Sequence, residues 1–182
     1  MTHLFWFLFS LTFLSLSLSA APPSLPPPQP IAFRVGPLRF DRPESWRWVP
    51  PSDSLRAAQL EKKTPQGTLL ITFSRFPNPT SGSIQANLDR WTAQFSKLAL
   101  PAKTQSFSGS VCPFTTLRLQ GTLKGGLPGG SPKEIPDATL LGAIFQTEGE
   151  QVVVKCTGPS SSIAPIEKEF ASLIAIAGGL PP

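Results

Sequence analysis

Apolar and polar residues alternate with the period of a β-strand in several parts of this chain. In Thr68–Phe76, the apolar residues Leu69, Ile71 and Phe73 occupy every second position. Successive side chains of a strand point to opposite faces, so these three residues are predicted to share one buried face. The same alternation predicts a strand at residues 114–121. Further strands are predicted at 56–62, after the turn at Pro50-Pro51, and at 140–147 and 152–157, with a weaker one at 103–110. Glu148-Gly149-Glu150 is the predicted turn of a hairpin between the strands at 140–147 and 152–157.

A different spacing predicts a helix over residues 84–97. Apolar residues recur there at intervals of four and three, which forms one continuous stripe on a helix. Ser83 is the predicted N-cap, because its hydroxyl can accept a hydrogen bond from a free N–H of the first turn. The stripe consists of Ile84, Leu88, Trp91, Phe95 and Leu98.

A second helix is predicted over residues 163–177. Ser162 is its expected N-cap, Pro165 suits its first turn, and Gly178-Gly179 is expected to end it. Its apolar stripe consists of Ile166, Phe170, Leu173, Ile174 and Ala177.

The order of these elements defines the predicted fold class. Strands follow one another in a meander rather than alternating regularly with helices, so the sheet is expected to be antiparallel. The chain is therefore predicted to be α+β, an antiparallel sheet flanked by helices. Gly and Pro are frequent in Thr122–Asp137, which is predicted to be a mobile loop.

The N-terminal segment differs in composition from the rest. Residues 1–21 contain an apolar run closed by Ser19, Ala20 and Ala21, as in a cleaved signal peptide; an uncleaved anchor is the alternative. Residues 22–31 are rich in proline and are expected to form a stiff spacer rather than a ligand for a proline-recognising partner. Residues 32–182 are then a single exported domain, periplasmic or extracellular, without a membrane anchor after cleavage.

Charge and composition exclude several classes of function. Lys and Arg number 16 against 11 Asp and Glu, a mild excess that favours anionic surfaces but forms no basic stripe, so no nucleic acid is expected. The single histidine, His3, lies in the predicted signal peptide, which removes histidine-based catalysis and metal sites from the domain. We therefore expect no metal and no cofactor. A hydrolase that uses two carboxylates is the enzymatic alternative.

Two cysteines in an exported chain raise the question of a disulfide. In the predicted meander, Cys112 precedes the first strand and Cys156 ends the third strand, which runs parallel to the first. Their Cα atoms are then separated by most of a strand's length, about 23 Å for seven residues, whereas bridged cysteines lie within about 7 Å. Free thiols are the favoured prediction.

Two polar groups are candidate binding residues. Asn87, Arg90 and Gln94 form a stripe beside the apolar face of the first predicted helix, where they either fasten the helix to the sheet or bind a ligand. The loops before the two helices could hold an anion on free N–H groups, although Ser83 and Ser162 could simply be caps. The candidate loop residues are Gly82, Ser83, Thr157 and Gly158.

Four segments together resemble a family of uncharacterised exported bacterial proteins, many of them lipoproteins. They are WRWVPPSDSLRAAQL, GSIQANLDRWTAQF, LQG and KCTGP. The Asn-x-x-Arg-Trp-x-x-Gln-Phe pattern, Asn87 to Phe95, is the most specific part. Leu55 stands where the family usually has Met, Ser83 replaces a second Gly, and the family's lipid-acceptor Cys is absent. The resemblance implies a PsbP-like sandwich, a fold that serves binding and assembly-accessory proteins more often than enzymes.

The sequence therefore predicts an exported, non-enzymatic binding or assembly-accessory domain. Its expected partner is an unknown protein or an anionic component of the cell envelope. The rival hypotheses are a carboxylate-dependent envelope hydrolase and a structural subunit that binds a partner protein.

Overall fold

The computed structural model describes residues 29–78, 82–126 and 132–181. The predicted signal peptide, most of the proline-rich spacer and the centre of the loop at 122–137 lie outside these ranges. The strands are β1 (Ala32–Val35), β2 (Leu38–Asp41), β3 (Arg47–Trp48), β4 (Ala58–Thr64), β5 (Gly67–Pro77), β6 (Phe95–Leu98), β7 (Lys103–Ser108), β8 (Pro113–Leu123), β9 (Ile135–Thr147) and β10 (Glu150–Pro159). The helices are α1 (Ile84–Thr92), α2 (Ser160–Ile163) and α3 (Glu167–Gly178), with a 3₁₀ turn at Ala164–Ile166.

Eight of the strands form one antiparallel sheet, in the order β3-β4-β5-β10-β9-β8-β6, with β7 also paired to β8. The predicted meander of β8, β9 and β10 is at its centre, and Glu148 and Gly149 form the hairpin turn between β9 and β10. The remaining strands, β1 and β2, form a separate hairpin. The coarse prediction of an α+β fold with an antiparallel sheet is confirmed.

Each face of the sheet carries its own apolar core, because both inward and outward residues of the central strands are apolar. The first face packs against α3 and the β1–β2 hairpin, and includes Phe73, Phe145 and Val154. The second face packs against α1, through Trp91 and Leu88. Helices therefore lie on both sides of the sheet.

The first helix is shorter than predicted. It ends at Thr92, and Phe95 begins β6, where it pairs with Leu123 of β8. Phe95 is nevertheless buried in the same core as Trp91. A buried residue at the expected position of the helical stripe can thus belong to a strand, since burial alone does not distinguish the two.

The second predicted helix begins earlier and is interrupted. Residues from Ser160 are already helical, and a 3₁₀ turn containing Pro165 separates α2 from α3. Ser162 is not an N-cap: it is buried inside α2, where its hydroxyl donates to Gln66 Oε1 at 3.0 Å. The C-terminal prediction is confirmed, since Gly179 adopts a left-handed conformation directly after α3.

The glycine- and proline-rich loop is shorter than Thr122–Asp137. Strand β8 continues to Leu123 and β9 starts at Ile135, so both ends of the predicted loop belong to the β8–β9 hairpin. The pairing shifts register between Gly121 and Leu123, which marks a β-bulge.

Both cysteines are free and buried, as predicted. Strand pairing explains the separation: Cys156 lies level with Arg118 of β8, through Leu141 of β9, whereas Cys112 precedes the start of β8. Burial raises the pKa of both thiols, that of Cys156 to about 12. Both thiols therefore remain protonated at neutral pH.

Trp46 attaches the segment before β3 to α3. Its ring is buried, and its indole Nε1 donates to Glu169 Oε2 at 2.7 Å. Ser45 Oγ donates to the other carboxylate oxygen, and Lys62 Nζ lies 3.2 Å from Oε2. Although burial alone would raise it, these hydrogen bonds and the charge of Lys62 hold the pKa of Glu169 below its ordinary value of 4.5.

We expect Glu169→Gln to remove part of the acid sensitivity of folding. The folded-state pKa is lowered, so the stability from this carboxylate is fully present above pH 4.5 and is lost as the pH falls through the folded pKa. Denaturant titrations between about pH 6 and pH 3 should show a shallower loss of unfolding free energy in the variant. Glu148→Gln, in an exposed turn, is the control and should follow the parent protein. An unchanged slope in Glu169→Gln would contradict the prediction.

Candidate functional site

Asn87 of α1 is bound to the sheet rather than available to a ligand. It is buried, and its side-chain amide donates to Gln151 Oε1 of β10 at 3.1 Å and to the Ser83 carbonyl at 3.1 Å. Gln151, also buried, donates from Nε2 to the carbonyl of Gly82 at 3.0 Å. The two amides thus join the start of α1 to β10, which supports the interpretation of this part of the stripe as a fastening.

Gly82 and Ser83 form the entry to α1. Gly82 has a φ of +71°, which L side chains rarely adopt, so this position favours glycine. Ser83 Oγ accepts a hydrogen bond from Ala86 N at 3.1 Å and is the N-cap of the helix. The capping alternative to an anion site is therefore the arrangement observed at this loop.

Arg90 and Gln94 do not extend the fastening. Arg90 is exposed and donates to Asn87 Oδ1 in its own helix, rather than to loop carbonyls or strand ends as predicted. Gln94 lies beyond the end of α1 at Thr92, so it is not on the helical stripe. For Gln94, the helical prediction continued the 3.6-residue period past the real end of the helix, whereas Arg90 lies within α1 but is exposed to solvent.

The loop that contains Thr157 and Gly158 is part of β10 and leads into α2. Gly158 is buried, and a side chain there would contact Leu69. The short helix that follows has a hydrogen-bonded carboxylate nearby. Asp137 accepts hydrogen bonds from Gln120 and Ser160, which lower its pKa. A carboxylate of the chain itself, that of Asp137, therefore already accepts a hydrogen bond at the place where the sequence predicted a bound anion.

A cationic cluster, which we define as Lys155 and Arg56, lies on the second face of the sheet, where Lys155 pairs with Thr72 of β5. Burial, and then the charge of Arg56, lower the pKa of Lys155. Thr157 Oγ1 is buried and has no hydrogen-bond partner among the described residues. Only Thr157 was a candidate site residue from sequence. Arg56 and Lys155 are far apart in the chain and no local pattern links them.

An apolar cleft of about 350 Å³ lies on the opposite, first face of the sheet, beneath α3. Phe114 and Leu141 form its floor, and Phe170 and Ile174 of α3 form its roof. Phe107 stacks on Phe114 with ring centroids 4.9 Å apart and closes one side. This space is ligand-sized, and the sequence did not predict it.

Charged residues line one rim of the cleft. Arg118 Nη2 lies 2.9 Å from Glu167 Oε1, so these two charges are paired. Lys103 lies opposite Arg118 in the β7–β8 register and is exposed, without a hydrogen bond or ion pair in the described part of the chain. The rim therefore carries one uncompensated positive charge.

Elsewhere, an open depression of about 370 Å³ is lined by Ser45, Arg47, Glu61, Lys62 and Lys63. Its charges are largely paired, Arg47 with Glu61 and Lys62 with Glu169.

Within the described residues, no group of three or more His, Cys, Asp or Glu side chains could hold a metal ion. No helix in the same residues is both long and apolar enough to cross a membrane.

No protein-family model and no curated protein matches this chain. Among solved structures, it is similar to the crystal structure of PA94 from Pseudomonas aeruginosa, a protein of unknown function. The two share 12% identity over 83% of this chain and 96% of that chain, with a TM-score of 0.44. A likeness at this level supports no functional argument.

Proposed function

We propose that this protein is an exported, non-enzymatic binding domain of the PsbP-like sandwich type, and that its ligand is an anionic amphiphile of the cell envelope. The apolar cleft beneath α3 is the observation that carries this proposal. Its volume of about 350 Å³ is at the lower end of the roughly 300–1,000 Å³ common among small-molecule sites. A short aliphatic chain is the ligand class that such a space accommodates.

The lining supports an aliphatic ligand. Burying a hydrocarbon chain against Phe114, Leu141, Phe170 and Ile174 would remove apolar surface from water on both sides of the interface. This contribution is approximately proportional to the area buried, at about 25 cal/mol per Å². The floor and the roof, each formed by one aromatic and one aliphatic residue, provide no group that would require a polar ligand between them.

The rim supports an acidic head group. Lys103 has no partner among the described residues, whereas Arg118 is paired with Glu167. A carboxylate at the mouth of the cleft would meet the ammonium of Lys103, which can move on its flexible stem toward the ligand. Charge at the rim would thus select anionic amphiphiles over neutral and cationic ones.

The rival hypothesis of a carboxylate-dependent hydrolase has less support at this cleft. Such enzymes place two carboxylates on either side of the bond that is cleaved. Of the residues that line the cleft, Glu167 alone is acidic, and it is paired with Arg118. The hypothesis of a structural subunit remains, and it requires a stoichiometric partner protein to co-purify from the native cells.

Octanoate tests the proposal. We expect the purified protein to bind octanoate in calorimetry more tightly than octanol, and to bind octyltrimethylammonium weakly or not at all. Lys103→Glu should weaken octanoate binding by about tenfold or more, about 1.4 kcal/mol, and should leave octanol binding unchanged.

Filling the cleft provides the second arm of this experiment. Ala175 lines the cleft from α3, so Ala175→Leu should abolish binding of both octanoate and octanol. Ser172→Leu is the matched control, since Ser172 is exposed on the same helix. If Ala175→Leu and Ser172→Leu bound octanoate equally well, the cleft would not be the site and the proposal would be wrong.

A further inference from the structure

The apolar cleft beneath α3 has a charged end and an apolar end. At the charged end, Arg118 of β8 is paired with Glu167 in the first turn of α3, and Lys103 of β7 is level with Arg118. At the apolar end, the ring of Phe107 stacks on the ring of Phe114, its partner in the β7–β8 register. The cleft therefore favours one orientation of an amphiphile, with the head group beside Lys103 and the tail toward Phe114.

Hydrogen bonds between backbone segments close the cleft at its apolar end. The carbonyl oxygen of Gly178, the last residue of α3, accepts a hydrogen bond from Val111 N at 3.1 Å. The carbonyl oxygen of Gly179 accepts hydrogen bonds from N and Oγ of Ser110, at 3.3 and 2.8 Å. The end of α3 is thus joined to the loop between β7 and β8.

Two glycines bring α3 into direct contact with the structure around it. A Cβ atom at Gly109 would overlap with the carbonyl oxygen of Gly178, and a Cβ atom at Gly178 would overlap with the ring of Phe114. Only glycine permits such a close approach at either position. Because α3 contacts both the loop and the floor of the cleft at this point, a ligand chain cannot pass between the helix and the sheet at Gly178.

Leu180 adds a side chain to this closed end. It follows the left-handed Gly179, and its backbone N donates to the Ala175 carbonyl at 2.9 Å. This hydrogen bond is typical of a Schellman motif, in which the residue after the glycine folds back onto the helix. Leu180 is half-buried and lines the cleft, so its side chain limits the space that remains for the end of a tail.

The distance between the two ends limits the length of the ligand. Arg118 is four positions after Phe114 in β8, which is about 13 Å along a strand. Gly178 is eight positions after Phe170 in α3, which is about 12 Å along the helix axis. An extended hydrocarbon advances about 1.25 Å per carbon, given bonds of about 1.5 Å in a zigzag chain. Both distances therefore correspond to a single chain of about ten carbons.

We infer that the cleft selects single-chain carboxylates of medium length, up to about ten carbons, and that the closed end at Gly178 and Leu180 sets this limit. This selectivity rests on the proposed function and adds to it the ligand class and the residues that limit its length. The carboxylate lies beside Lys103, and the tail extends between Phe114 and Ile174 to the closed end. Methylene groups beyond the limit stay in water, so they add no further burial of apolar surface.

A series of saturated fatty acids tests the limit on the parent protein, without any variant. Hexanoate, octanoate, decanoate, dodecanoate and tetradecanoate are each titrated in calorimetry below their critical micelle concentrations. We expect Kd to fall about fourfold for each methylene group added up to about decanoate, the effect of burying that group. From decanoate to tetradecanoate, we expect Kd to level off.

Leu180→Ala should move the limit to longer chains. Loss of the larger side chain leaves space at the closed end, so dodecanoate should bind more tightly than decanoate. Hexanoate does not reach this end and should bind as it does to the parent protein. Leu100→Ala is the matched control, because Leu100 is exposed between β6 and β7, and it should keep the limit of the parent protein.

The proposed function and the length limit fail in different ways. If no fatty acid of the series binds, the proposed function is wrong, and the limit fails with it. If the affinity rises by the same factor through tetradecanoate, the cleft binds amphiphiles but its end is not closed, and the limit alone is overturned. If Leu180→Ala and Leu100→Ala both keep the limit of the parent protein, Leu180 does not help to set it, which overturns its assignment to the closed end.

Discussion

Trp91→Ala should lower the free energy of unfolding by about 3–5 kcal/mol, the usual effect of emptying a large buried aromatic position. Trp91 is 6% exposed and lies in the core between α1 and the second face of the sheet. Its ring occupies the space above Gly142 of β9, where any side chain would clash with it. Chemical denaturation monitored by far-UV circular dichroism measures the change.

Gly142 supplies the control for this prediction. Gly142→Ala should destabilise the parent protein, because the added methyl group displaces the ring of Trp91. In the Trp91→Ala background the same replacement should cost much less, since the ring is gone. The double-mutant cycle should therefore show a coupling of about 0.5–3 kcal/mol. Additive effects of the two replacements would show that the ring does not pack on Gly142.

The central meander was predictable because its signals are local. In β5 and β8, alternation of side chains is enough to define a strand, and Gly149 marks the turn between β9 and β10. The stripe Ile84, Leu88 and Trp91 identified α1 and its buried face. These features depend on residues within about ten positions of one another, which is the range that periodicity covers.

The edges of the fold were not predictable, because they depend on contacts between residues that are far apart in the chain. Phe95 fits both the helical stripe and a short strand, and only its pairing with Leu123 decides between them. The β1–β2 hairpin has four residues in each strand, and its packing on α3 depends on the far end of the chain. Strand pairs of this length carry too few alternations to be identified from sequence alone.

The candidate sites show the same limit. The cleft requires β7, β8 and α3 to be in contact, and the cationic cluster requires the loop before β4 to meet β10. Sequence reasoning identified Thr157 but not the neighbouring Lys155, because it related that loop to the helix that follows. The strand that precedes it is the relevant element, since alternation along β10 places Lys155 and Thr157 on one face.

Asn87→Ala should destabilise the protein by about 1–3 kcal/mol, because it leaves the buried amide of Gln151 without one of its partners. Arg90→Ala should change stability by no more than about 0.5 kcal/mol, since Arg90 is exposed and, among the described residues, its side chain donates only to Asn87. Gln151→Ala and the Asn87/Gln151 double variant complete a double-mutant cycle. In this cycle, we expect each replacement to lower the free energy of unfolding by less when the other residue is already alanine. Denaturant titration of the four variants measures all of these differences. If Asn87→Ala and Arg90→Ala were equally neutral, the amide pair would not hold α1 to β10, and this border of the helix would be free to bind a ligand.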